Sequence, residues 1–264
     1  MTDDGLWLRP GKHTLPAVTD PAEHAAYIRA RHPHATLTGL AGVLLLYQRT
    51  VLQDAQARFT ARPQPGWVRG ELSVVEHQGT AVGLCGGFGP GAPAAGLVLE
   101  QLLALGARTV ITVGTAASLQ PCLDAGDIVV CSRALRDEGL SRHYLAPARY
   151  ARPAPALSSR LHHNLRAHGL PAHTGAAWST DAPYRETAQE VAQGYTEGIL
   201  VADMEAAAVF AVAEHRGAAA AAVFVVADSL VNRTPRTDPP HVHTALGGVV
   251  QAALATLTAA PATT

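Results

Sequence analysis

The chain has 264 residues, 48% of them apolar and 16% charged, with 20 basic and 21 acidic side chains and a net charge of −1. With a mean hydropathy of +0.10 it has apolar surface for a large core and too little charge for a disordered chain. So even a charge balance leaves no footprint for nucleic acid or an anionic membrane surface, and Lys12, the only lysine, almost excludes Schiff-base chemistry. Cys85, Cys122 and Cys131 are far apart and show no CxxC or CxxxH spacing. Neither a zinc site nor a disulfide framework is therefore expected, and no metal site is assigned. The first residues carry no apolar signal core, and no run reaches the roughly 18–20 apolar residues of a spanning helix. The expectation is a cytoplasmic protein with no membrane partner.

In chain order, residues 1–39 are rich in Pro and His and read as an N-terminal arm or cover with one helix at 21–31. Residues 40–264 read as one domain. The run 42–47 (GVLLLY) is a buried strand, 51–59 a helix, and 71–77 an alternating strand that continues into 80–85 past a His-Gln-Gly turn. A helix at 92–105 and a β-branched strand at 109–113 follow, then a strand at 127–131 and a helix at 155–168 with leucines at 157, 161 and 165. Short strands are expected at 172–178 and 199–202. The helix at 204–216 is closed by Gly217, the most continuous strand is 220–226, and a last helix covers 245–257 before a tail that should fray. Strands alternating with helices, several of them apolar on both faces, predict a single α/β domain with a mixed or mostly parallel sheet covered on both sides.

Four stretches could carry chemistry. The glycine cluster at 86–91 (GGFGPG) lies between a strand and a helix, where the backbone N–H groups of Gly87 and Gly89 can approach an anion. A dinucleotide site would need an acidic residue about 20 positions on, and the strand TVITVG has none; a bare turn is the alternative. The segment GTAAS at 114–118 reads as a second turn, with the Thr115 hydroxyl at a strand's C-terminal end. Glu205, at an apolar helix start, is costly to bury unless something polar engages it, or is simply a carboxylate favoured by the helix dipole. Asp228 ends the most apolar strand, where desolvation should raise its pKa and suit it to donate a proton; otherwise it is a cap.

The Gly-rich turn, GTxxS, RDEG at 136–139, STDAPY at 179–184, DMEAAAV at 203–209 and VVADS at 225–229, in this order, resemble the nucleoside phosphorylase type I family. GTAASLQP, DAGDIVV and VNRT at 231–234 are similar to its uridine phosphorylase-like branch. The resemblance implies one α/β domain around a mixed, barrel-like sheet flanked by helices. It also implies cleavage of a nucleoside's N-glycosidic bond by phosphorolysis, with inorganic phosphate as co-substrate and no metal or organic cofactor. It assigns the ribose to Met204, Glu205 and Thr115, the base to Thr180, Asp181, Tyr184 and Arg185, and the phosphate to Arg49, Gly87, Gly89 and Thr115. Asp228 matches the acid of purine-cleaving members and tilts the substrate towards a purine. A homo-oligomer, dimer or hexamer, is implied as well.

The departures concern phosphate. The family's Gly-Asp-Pro-x-Arg turn is Leu45-Leu46-Tyr47-Gln48-Arg49 here, and its arginine two residues before the Gly of the GT turn is Thr112. Arg49, Arg136 or Arg142 are candidate replacements, with Arg62 and Arg69 for a contribution from a neighbouring subunit. A hydrolytic nucleosidase and a non-catalytic nucleoside sensor are the alternatives, although residues 44–49 hold no acid to activate water. Trp178 is a second candidate to stack on the base. His13 and His143 are candidates for the ribose 5′ end and the base.

Overall fold

The computed structural model describes residues 9–233 and 239–259; the first residues, Thr234 of VNRT and the tail expected to fray lie outside these. Among the described residues the elements run α1 (Pro21–Arg31), β1 (Val43–Leu46), α2 (Arg49–Arg58), β2 (Arg62–Pro63), β3 (Glu71–His77), β4 (Thr80–Gly86), α3 (Ala92–Ala104) and β5 (Thr109–Ser118). They continue with β6 (Ile128–Asp137), β7 (Tyr150–Ala151), α4 (Pro155–Ala167), β8 (Ala172–Thr180), α5 (Ala188–Thr196), β9 (Ile199–Asp203), α6 (Ala206–His215), β10 (Ala219–Ser229) and α7 (Pro240–Thr258).

β5 organises the sheet. It pairs with β10 in parallel along its whole length, and on its other edge with β1 at its start and β9 at its end. Antiparallel β10–β6 and parallel β6–β8 and β8–β9 pairings then return to β5, so that five strands close into a mixed barrel. From β1 the sheet continues outward through β4, β3 and β2. The β3–β4 hairpin turns on Gln78 and Gly79, both at positive φ (51° and 74°), as a two-residue turn between twisted strands requires.

Alternation along β5 builds two apolar layers. Val110 and Ala116 face a core shared with α3 and α6, while Ile111 and Val113 face one shared with α4 and α7. α6 is apolar on every side from Ala206 to Ala213 (AAAVFAVA) and is accordingly buried over that stretch. The N-terminal segment is joined to the first layer: Ala25 and Ile28 of α1 sit in it, and the Leu37 N–H donates to the Leu105 carbonyl at 2.9 Å.

Two sequence readings change. The GTAAS segment is not a turn, because β5 runs on to Ser118 with β10 on one side and β9 on the other. The helix expected from 204 starts at Ala206, leaving Met204 and Glu205 in the turn before it. The short strands β2 and β7 and the helix α5 were not anticipated. α5 opens with a capping box, the Thr187 hydroxyl accepting from Glu190 N–H and the Glu190 carboxylate from Thr187 N–H.

Candidate active site

Asp228 of β10, Ala117 of β5 and Ala202 of β9 stand in one row across the barrel wall. This register brings the acid beside the strand that delivers Met204 and Glu205. The turn carrying them is held by Asp203, whose Oδ2 accepts from the N–H groups of Glu205 (2.8 Å) and Ala206 (2.6 Å). Its Oδ1 accepts from the Ser179 hydroxyl at 2.5 Å, and that hydroxyl in turn accepts from Ala207 N–H at 3.0 Å. A buried carboxylate thus supplies the donors of the helix start with the acceptors they lack.

Glu205 is itself buried. Its Oε1 accepts from Gly91 N–H at 2.6 Å, which ties α6 to the end of the glycine cluster. Gly91 sits at φ +98°, and Met204 Cε lies 4.0 Å from where its Cβ would stand. Only a glycine turns there without strain. Burial, and then the charge of Asp203, push Glu205 up to about 7, against the Gly91 and Met204 backbone donors and with a further push from Asp181. Asp203 is also raised, by burial first. These carboxylates crowd one another, as acids in functional clefts do.

The stretch 180–185, expected to meet the base, is more open. Thr180 is buried and its hydroxyl accepts from Ala182 N–H at 3.2 Å, and Asp181 Oδ2 accepts from Gly139 N–H at 2.8 Å. Arg185 is exposed and Tyr184 is 99% exposed, so within one chain Tyr184 forms no wall of a pocket. Trp178 is committed elsewhere: its ring packs with Leu119, Ala176 and Ile199, and its Nε1 donates to Asp137 at 2.9 Å.

Asp228 is not left alone at the end of an apolar strand. Its Oδ2 accepts from the Arg233 guanidinium at 3.1 Å, so the carboxylate is ion-paired rather than isolated. Glu186, which sequence reasoning missed, faces the same pair: burial and the charge of Asp228 raise its pKa, and Arg233 opposes them. Nothing in the pattern around Glu186 marks it, because its neighbours arrive from the end of β10 and the segment just after it, over forty positions along the chain. His143, expected near the base, accepts at Nδ1 from Lys12 Nζ at 2.7 Å.

At the end of β1, the Gln48 amide donates to Thr115 Oγ1 at 2.9 Å. The Tyr47 ring packs over Gly114 and edge-on to Phe88, at 5.6 Å between ring centroids. Burial and then Glu205 keep its hydroxyl protonated well above the ordinary range. Arg49 is the exposed first residue of α2. Arg136 is spoken for: its guanidinium donates to Ser141 Oγ (2.9 Å) and to the carbonyls of Ala146 (2.7 Å), Ala148 (3.2 Å) and Leu145 (3.4 Å). It clamps a loop and is not available as a replacement phosphate ligand. Among the described residues no three His, Cys, Asp or Glu side chains gather as a metal would require.

The family profile described as Phosphorylase superfamily matches residues 62–260. The chain is 32% identical over 155 residues to the guanosine phosphorylase of Halorubrum lacusprofundi, which covers 59% of this chain and 64% of that protein. It is 28% identical over 179 residues to the uridine phosphorylase of Salmonella typhimurium, covering 62% of this chain and 69% of that one. The aligned part thus spans about two thirds of these relatives. The crystal structure of uridine phosphorylase from Vibrio fischeri ES114 superposes with a TM-score of 0.71 at 26% identity, over 82% of this chain and 91% of the other. The profile runs from β2 to the end of α7 and takes in the whole barrel with the turn at Met204–Glu205, so the chain belongs to the nucleoside phosphorylase family of the phosphorylase superfamily.

Proposed function

We propose that the protein cleaves the N-glycosidic bond of a nucleoside by phosphorolysis, giving ribose 1-phosphate and the free base, with a preference for purines. The observation that carries this reading is Glu205, a buried carboxylate fixed at the meeting of the glycine cluster and the α6 turn. A carboxylate held there suits a two-point, charge-assisted clamp on the vicinal 2′ and 3′ hydroxyls of a ribose, with Met204 against the sugar. The bond from C1′ to the base nitrogen breaks with its electron pair leaving on the base. Phosphate oxygen forms the new bond to C1′, and a proton from Asp228 neutralises a purine leaving group. For that donation the Asp228–Arg233 pair must open as the base binds. The two kinds of relative, guanosine and uridine phosphorylases, support phosphorolysis and leave the base to Asp228.

One observation favours a second reading, hydrolysis by water. Thr112 stands where the family has an arginine, and Arg136 is locked into its loop. The test is base release from purine and pyrimidine nucleosides, in phosphate and in phosphate-free buffer. Phosphate-dependent release, faster with purines, is expected. Release indifferent to phosphate would replace phosphorolysis by hydrolysis, and pyrimidine-only release would remove the purine preference. Silence in both buffers, with a nucleoside still raising Tm, would leave a binding protein without turnover.

A further inference from the structure

Asp228 and Arg233 form an ion pair of 3.1 Å, the carboxylate 19% exposed and the guanidinium 58%. A neighbouring cation favours the ionised form of an acid, and an ionised carboxylate has no proton to give. The pair must therefore open before Asp228 can act as a donor. Breaking such a pair strands a largely buried charge unless a second partner stands ready.

Glu186 is placed to be that partner. It falls between the short helical turn Pro183–Arg185 and α5, whose capping box at Thr187 fixes the chain directly after it. Every other residue from Asp181 to Glu190 is exposed, and Glu186 alone is half-buried. A glutamate turned inward where its neighbours all face solvent loses hydration, which only a charge or a donor can offset. What lies inward is the end of β10. Val191 of α5 and Leu230, just past that strand, pack on the same apolar cluster of Leu119, Trp178 and Ile199. This lays the chain from 186 alongside the chain from 228. Glu186 accordingly feels the charges of both Asp228 and Arg233, with Glu190 a further one.

We propose that Arg233 passes from Asp228 to Glu186 when the base enters, which makes Glu186 the positioning residue for the acid of the reaction; this rests on the reading of Asp228 as proton donor given above. Relieved of the cation, Asp228 takes a proton from solvent. It delivers that proton to the base nitrogen system as the electron pair of the C1′–N bond arrives there, and the carboxylate left behind draws Arg233 back. Glu186 receives the guanidinium as a carboxylate and exchanges no proton with the substrate.

The test is a double-mutant cycle on initial rates with inosine, a purine nucleoside, in phosphate buffer: wild type, Glu186→Gln, Arg233→Met and the two together. Glu186→Gln is expected to lower kcat about tenfold, a part of what general acid catalysis supplies, with KM for inosine within about twofold. On the Arg233→Met background, where no guanidinium has to be received, the same change is expected to alter kcat by less than about twofold. Wild-type kcat in Glu186→Gln, an equal loss on both backgrounds or an inactive Arg233→Met overturns the handover and leaves Asp228 in place. Inosine turnover that is absent from the wild type, or unimpaired in Asp228→Asn, overturns the acid itself and this proposal with it.

Discussion

In the proposed reaction Glu205 and Asp228 do different work, and the difference can be measured. Glu205 must be ionised to accept from two hydroxyls, and its surroundings push it up to about 7. kcat/KM for the nucleoside is therefore expected to rise with pH with a midpoint near that value and to level off above it. Glu205→Ala should harm KM and kcat together. Asp228→Asn should lower kcat on purine nucleosides by about 10²- to 10⁴-fold while KM moves little, because general acid catalysis acts in the transition state. Full activity in that variant removes Asp228 from the chemistry. The raised Glu205 also has a stability consequence. The folded state holds this proton more tightly than the unfolded chain, so the group's contribution is greatest below its ordinary value of 4.5 and falls as pH rises through about 7. Glu205→Gln removes that loss, so its Tm should exceed the wild type's at about pH 8 and the difference should shrink towards about pH 5.

At the scale of elements, each strand and helix named by periodicity exists, since each carries its own apolar face, but β6 runs on to Asp137 rather than ending at 131 and α7 begins at Pro240 rather than 245. What periodicity missed is set by neighbours. β5 extends through GTAAS because β9 and β10 both pair with that segment, and tertiary pairing outweighs the turn preference of its glycine. β2 and β7 are two-residue strands, too short for any repeat to show. α5 could have been found, since Thr187 and Glu190 spell a capping box. Arg136 is a lesson of the same kind: its sequence neighbourhood suits an anion ligand, yet its bonds go to the 141–148 loop. Arg136→Ala is expected to cost about 2 kcal/mol, as the loss of hydrogen bonds made by a charged donor does, while leaving the phosphate KM unchanged. A raised phosphate KM in a folded Arg136→Ala protein would return this arginine to the nucleophile site.

For the whole molecule, barrel closure makes β5 and β10 the most protected elements, each paired on both sides and covered by a helical layer on both faces of the sheet. Native-state hydrogen exchange should be slowest at Ile111–Val113 and Val223–Val225, at rates tracking global unfolding. Fast exchange there would mean that the barrel opens below the global transition. Tyr184, 99% exposed, with Val68 at 57% and Leu97 at 46%, leaves apolar surface on a single chain. We expect a second copy to cover part of it, so light scattering should give a mass of two or six chains, and a monomer would sink that expectation. No helix among the described residues is long and apolar enough to cross a membrane.

From the sequence alone came the α/β alternation, the order of the six motifs, the Met204–Glu205 pair and an acid after the last core strand. These are local facts, carried by side-chain period and by short runs of residues. Only the tertiary structure decided that Asp228 is paired with Arg233 and faced by Glu186, that Arg136 is bound to a loop, and that Gln48 reaches Thr115. Gln48 with Thr115 and Glu186 with Asp228 are contacts between segments tens of residues apart, while the Asp228–Arg233 and Arg136 contacts are shorter in sequence but depend on how the loops fold back. A hydrogen bond or a desolvated charge depends on which atoms the closed barrel brings together, and no period along the chain encodes that.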